Sequence, residues 1–127
     1  MEDYSINATK ATPAINFNSQ TGILSINGRS IPEDSVSFFE PLQNIIRQYL
    51  ENSLPNNTIN IRLDYLNSSS TACLLGILRD YEKLNKSVTT IVNWQYESED
   101  EDILNIGLNF SEIIDLKFNM IVVDELN

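Results

Sequence analysis

Four hydroxyl side chains in a row, Ser68, Ser69, Ser70 and Thr71, follow Asn67 where a two-residue apolar rhythm gives way to a helical one. A helix start leaves backbone N–H groups unpaired, and asparagine or serine side-chain oxygens accept hydrogen bonds from them, so Asn67 to Ser70 suit an N-cap. The same N–H groups and the positive end of the helix dipole can hold a phosphate, and the turn offers several hydroxyls to a kinase. Residue chemistry leaves both readings open, with capping the plainer of the two.

A second constellation is acidic: Glu97, Glu99, Asp100, Glu101 and Asp102 crowd one short stretch, and Asp64 precedes the hydroxyl turn. Carboxylates in a first helical turn complement the dipole, each by about 0.3–1 kcal/mol. The alternatives are a surface that recognises basic side chains of a partner, or a small carboxylate- or metal-dependent hydrolase working through Asp64, Glu97, Glu99 and Asp102. The run lacks the glycine and spaced ligands of an EF-hand loop, so no metal site is expected. Histidine is absent, which removes the usual general base near neutral pH and any Ser-His-Asp or Cys-His arrangement.

The elements around these residues follow from periodicity. Ile59, Ile61, Leu63 and Tyr65 recur every second residue and predict a strand ending near Leu66, with one face against a core. Ala72, Leu75, Leu78 and Tyr81, widened by Leu74, Ile77 and Leu84, predict a helix that ends by Asn85-Lys86. Upstream, Tyr4, Ile6 and Ala8, then Ile15 and Phe17, then Ile23, Leu24 and Ile26 predict short strands. The last two form a hairpin across Gly22, and Asn27-Gly28 closes the unit.

A helix is expected from about Ser35 to Glu51 with a kink or irregular first turn at Pro41, and Leu54-Pro55-Asn56-Asn57 reads as a turn. Phe38 and Phe39 are consecutive, so either one of them helps form a partner surface or a wide apolar stripe covers both. Val88 to Tyr96 predicts a strand with both faces partly covered, on which Trp94 and Tyr96 serve packing. A helix starting inside the acidic run carries Ile103, Ile106, Gly107 and Phe110 on one face, and Phe118, Met120 and Val122 predict a last strand. Strand-helix-strand units favour a parallel sheet, and the first strands can pair antiparallel, giving an α/β fold: a mixed β-sheet packed with about three α-helices. The hydroxyl turn and the acidic run then share the edge at the C-terminal ends of the strands, where open α/β sheets place their sites.

The 127 residues are enough for one self-sufficient domain, 1–127, because a chain of this size buries about two-thirds of its unfolded surface. A formal charge of −10 opposes binding to nucleic acid or anionic membranes and favours a basic patch on a protein partner. The single cysteine, Cys73, reads as a small apolar residue in a reducing compartment. The start Met1-Glu2-Asp3-Tyr4 has no signal-peptide character, and no run approaches the roughly 20 apolar residues of a membrane span, so a cytoplasmic location without membrane insertion is expected.

Residues Leu63 to Leu75 resemble the strand, Asn-Thr/Ser-Ser-Ser turn and helix of the SiaC-type biofilm regulatory phosphoproteins. Thr9 with Thr12-Pro13, Phe17 with Thr21-Gly22, Ile31-Pro32-Glu33-Asp34-Ser35, Phe38-Phe39-Glu40-Pro41 and Val92-Asn93-Trp94-Gln95-Tyr96 extend the likeness over nearly the whole chain. The resemblance implies that Ser68, which follows the asparagine, is the phosphoacceptor, with serine in place of the usual threonine and Asn67, Ser69, Ser70 and Thr71 completing the switch turn. It implies a non-enzymatic regulator without cofactor. Its partners would be a SiaB-like protein kinase, a PP2C-type phosphatase and a diguanylate cyclase activated by the unphosphorylated form, with cyclic di-GMP as the downstream signal. The turn is also similar, more distantly, to the Asp-Ser-Ser-Gly turn of STAS domains. That makes a STAS-like domain the expected fold and an anti-sigma-factor antagonist the alternative function. On this reading Ser68 alone is modified, and the neighbouring hydroxyls cap the helix.

Overall fold

The computed structural model describes residues 2–124. Three short strands, β1 (Tyr4–Ile6), β2 (Ala14–Asn18) and β3 (Ile23–Ser30), lead into α1 (Ser35–Leu50). Then β4 (Asn56–Leu66), α2 (Ser68–Glu82), β5 (Thr89–Tyr96), α3 (Glu101–Ile113) and β6 (Lys117–Val122) alternate. The strands form one six-stranded sheet in sequence order, antiparallel from β1 to β3 and parallel from β3 to β6. Each parallel step moves one strand in the same direction, and right-handed crossovers then bring all three helices to one face.

That face is the core. Register aligns Leu24 with Ile59, Ile61 with Trp94 and Val92 with Phe118. Edge-to-face ring contacts of Phe17 with Tyr49 and of Trp94 with Phe110 tie the sheet to α1 and α3. The helices are joined by Asp80 of α2, only 6 % exposed, whose Oδ2 accepts from Gln43 Nε2 at 3.1 Å and from Arg47 Nε at 3.0 Å. Amides line the opposite face: Asn93 Nδ2 donates to Asn60 Oδ1 at 2.8 Å and Asn119 Nδ2 to Asn93 Oδ1 at 3.0 Å. β5 therefore meets helices on one face, and on the other Ile91, Asn93 and Gln95 are half-buried, so both faces are covered at least in part. Among the described residues no helix is long and apolar enough to cross a membrane.

Several local expectations are corrected. Tyr65 does not continue the inward stripe; it is 54 % exposed. Gly28 pairs with Leu63 but Arg29 pairs with Tyr65, so Asp64 is an extra residue in β4. One inserted residue reverses the alternation, turning Tyr65 out and Leu66 in. Asn27-Gly28 lies inside β3 beside this bulge instead of closing the unit.

Asn56 and Asn57 belong to β4, because buried Asn57 has a tertiary partner: its Oδ1 accepts from the Tyr49 hydroxyl at 2.5 Å. The space is closed by Gly22 at φ +71°, where a Cβ would stand 2.7 Å from Asn57 Oδ1 and 2.9 Å from the Tyr49 oxygen. α1 runs unbroken through Pro41, which is exposed along with Ser37, so the Ser37 carbonyl that proline leaves unpaired can meet water. Of the two readings of Phe38 and Phe39 the wide stripe holds: Phe39 is buried and Phe38 is half-buried against it and the core. Ala72 is exposed, and the buried stripe of α2 is Leu74, Ile77, Leu78 and Tyr81.

Candidate functional site

β4 ends at Leu66 and the chain enters α2 through Asn67, whose extended backbone (φ −78°, ψ 168°) is that of an N-cap. Asn67 is fixed at both ends. Its N–H donates to the Ser30 carbonyl at 3.0 Å, and its side-chain oxygen accepts from the Ser70 N–H at 2.9 Å. Capping is therefore done by Asn67 and not by the neighbouring hydroxyls, a correction to the sequence expectation. A side-chain amide oxygen at that position reaches the third helical N–H, while the serines already lie inside the first turn.

The four hydroxyls have different surroundings. Ser68 is exposed, and its side chain makes no hydrogen bond among the described residues. Ser69 is exposed but turned back: its Oγ lies 2.6 Å from Ser35 Oγ and donates to Asn67 Oδ1 at 3.3 Å. Ser70 is fully buried, accepts from Ser30 Oγ at 2.8 Å and approaches Ser35 Oγ at 3.2 Å. Thr71 Oγ1 donates to the Asn67 carbonyl at 2.9 Å. The N–H groups of Ser68 and Ser69 have no acceptor among the described residues, and α2 carries no acidic residue in its first turn. The exposed Ser68 hydroxyl thus stands beside two unpaired backbone donors, an arrangement that can hold an added anion.

Ser30 and Ser35 belong to this site, and residue types alone had not assigned them to it. They come from the end of β3 and the first turn of α1, 40 and 35 residues from Ser70, so no local pattern marks them. Asp34, the α1 N-cap, is also near. Its carboxyl is held below the usual range by hydrogen bonds from the Ser37 hydroxyl and N–H. Burial, and then the Asp34 charge, push the Cys73 thiol up, away from the reactive thiolate.

The acidic residues lie on the same edge, after the adjacent parallel strand. Asp100 is the N-cap of α3 and accepts from the Ile103 N–H at 3.1 Å, with Glu101 and Asp102 in the first turn. A hollow of about 370 Å³ between the end of β4 and the start of α3 is lined by Asp64, Tyr65, Leu66, Asp100, Asp102 and Ile106, among others. The structure thus brings Asp64, Asp100 and Asp102 together and leaves Glu97, Glu99 and Glu101 outside that hollow. Among the described residues no three His, Cys, Asp or Glu side chains are grouped to hold a metal ion. Trp94 is fully buried, its Nε1 donating to the Ile103 carbonyl at 2.9 Å, so it packs the core.

Comparison with known proteins converges on one group. A family model described as SiaC family regulatory phosphoprotein matches residues 6–123. An uncharacterized protein of Pseudomonas aeruginosa (strain UCBPP-PA14) is 29% identical over 126 residues, covering 98% of this chain and 100% of that protein. Among solved structures, SiaC in the crystal structure of the Pseudomonas aeruginosa diguanylate cyclase SiaD in complex with its activator SiaC is similar at 28% identity. That match has a TM-score of 0.88 and covers 95% of this chain and 100% of that one. Apo-SiaC from the same organism matches at 27% identity and a TM-score of 0.87, over 96% and 100% of the two chains.

Proposed function

Because this chain belongs to the SiaC family of regulatory phosphoproteins, we propose that it is a non-enzymatic switch, one domain over residues 1–127, whose unphosphorylated form binds and activates a diguanylate cyclase. A SiaB-like kinase phosphorylates Ser68, and a PP2C-type phosphatase reverses the modification, in the cytoplasm. The observation that carries this reading is the likeness, at a TM-score of 0.88, to a SiaC solved with the cyclase it activates. The exposed Ser68 hydroxyl beside two unpaired N–H groups supports the choice of acceptor. No observation favours the anti-sigma-factor or hydrolase alternatives.

Phosphorylation adds about −1.5 to −2 charges at an edge that already bears Asp64, Asp100 and Asp102. Tenfold weaker binding needs only about 1.4 kcal/mol, and desolvating a phosphate that finds no partner group at an interface costs several. The switch therefore works without refolding. The hollow between β4 and α3 offers Tyr65, Leu66 and Ile106 as an apolar floor and Asp64 and Asp102 as acceptors for a basic side chain of the partner. Asp100 is already engaged as a cap.

The test titrates wild type, phosphorylated protein and Ser68→Ala against the cognate cyclase while following cyclic di-GMP formed from GTP, with circular dichroism alongside. Wild type and Ser68→Ala should activate, the phosphorylated form should lose at least about tenfold in affinity with its fold intact, and Asp64→Asn with Asp102→Asn should slow association. Equal activation by phosphorylated and unphosphorylated chains would overturn the reading.

A further inference from the structure

We propose that Ser35 selects the phosphoacceptor, holding the Ser69 hydroxyl inward so that Ser68 is the one left to react; this rests on the reading of Ser68 as the modified residue. Ser68 and Ser69 are adjacent, exposed and in the same helical turn, so sequence position gives a kinase little to distinguish them. Their hydroxyls differ. Ser35, 3% exposed at the first position of α1, places its Oγ 2.6 Å from Ser69 Oγ and 3.2 Å from Ser70 Oγ.

A hydroxyl has one proton to donate, which fixes a direction along the chain. Ser69 spends its proton on Asn67 Oδ1, so it accepts from Ser35, and Ser35, its own proton spent, accepts from Ser70, which in turn accepts from Ser30. Three members of this chain, Ser30, Ser35 and Ser70, are at most 3% exposed, so water does not compete for their bonds.

In the transfer the γ-phosphoryl of ATP moves to a serine Oγ. The bond to the ADP oxygen breaks as the new O–P bond forms, and the hydroxyl proton leaves to a base of the kinase. Ser69 must first give up the bond it accepts from Ser35 and the one it donates to Asn67, and each is a factor of about two to ten in availability. Ser68 has neither bond to break. Ser70 is buried, and Thr71 is tied to the Asn67 carbonyl.

The experiment incubates wild type, Ser35→Ala and Ser35→Thr with ATP and a SiaB-like kinase and assigns phosphate to each residue by mass spectrometry. Wild type should carry it on Ser68. Ser35→Ala, which removes one of the two bonds, should raise the Ser69:Ser68 ratio about two- to tenfold with Ser70 and Thr71 unmodified, and Ser35→Thr, which keeps the hydroxyl, should restore Ser68. If Ser35→Ala fails to fold by circular dichroism, Ser35→Cys fills the same volume with a weak donor and stands in for it. Phosphate solely on Ser68 in Ser35→Ala overturns the role of Ser35 alone, as does a joint rise at Ser69, Ser70 and Thr71, which would mean a loosened turn. A wild-type chain unmodified at Ser68 overturns the parent reading, and this inference with it.

Discussion

Two helices begin at the same edge of the sheet, each one residue or a few past a parallel strand and each capped by the side chain of an Asx residue, yet they treat charge in opposite ways. α3 starts with Asp100 as cap and with Glu101 and Asp102 in its first turn. α2 starts with the uncharged Asn67 and has no acid in its first turn. The positive end of α3 is answered by its own side chains, while that of α2 is left open with the Ser68 and Ser69 N–H groups unpaired. In a chain with a formal charge of −10, the turn that would receive a phosphate is the one kept free of carboxylates. A charge added at α2 finds donors; a charge added at α3 would also meet Glu101 and Asp102.

The largest expected effect separates packing from charge at α3. A Cβ on Gly107 would lie 2.5 Å from the Trp94 ring, which is fully buried and held by its bond to Ile103 and by the edge of Phe110. Overpacking of a core costs about 1–3 kcal/mol, so Gly107→Ala should lower stability by that amount in urea denaturation and alter Trp94 fluorescence. Neutralising Glu101 or Asp102 should cost less, about 0.3–1 kcal/mol each. A larger loss from the charge changes than from Gly107→Ala would mean that the acids, not the tryptophan, fix where α3 begins.

The same contrast shows what the sequence made legible. Strand and helix periods located every element, and Asp100 to Asp102 announced the α3 start, because each signal is local. The outward turn of Tyr65 was hidden because it comes from the inserted Asp64 opposite β3, and register is a property of two strands. Asn57 looked like a turn residue until Tyr49 supplied its partner. The reach of the α2 start into Ser30 and Ser35 was hidden for the same reason: three segments meet there, and none carries a pattern that names the others.

Cap loss at α2 comes next in size. Asn67→Ala removes the acceptor of the Ser70 N–H and should cost about 0.5–2 kcal/mol, measured by the same denaturation. Asn67→Asp should recover most of this and make the α2 start resemble that of α3, so a phosphate on Ser68 would then meet a carboxylate beside it. Phosphorylated Asn67→Asp should melt lower than its unphosphorylated form. A higher melting temperature would show that the cap charge is too well screened to matter.

The smallest effect bears most directly on the switch. Ser68 makes no side-chain bond among the described residues, so Ser68→Ala should leave stability unchanged within about 0.5 kcal/mol. Ser68→Asp places a carboxylate at the open end of α2 and should stabilise the fold by about 0.3–1 kcal/mol at low salt, a gain that shrinks as ionic strength rises. Against this stand Asp34, whose charge reaches α2 closely enough to raise the Cys73 thiol, and Asp64 on the same edge. The dipole and the two unpaired N–H groups act within the first turn, while exposed carboxylates are screened by water, so the stabilising effect should win. Ser68→Asp should therefore fold more tightly and bind the cyclase more weakly. Destabilisation by Ser68→Asp that salt relieves would mean repulsion from Asp34 and Asp64 dominates, and the switch would then act by loosening the α2 start.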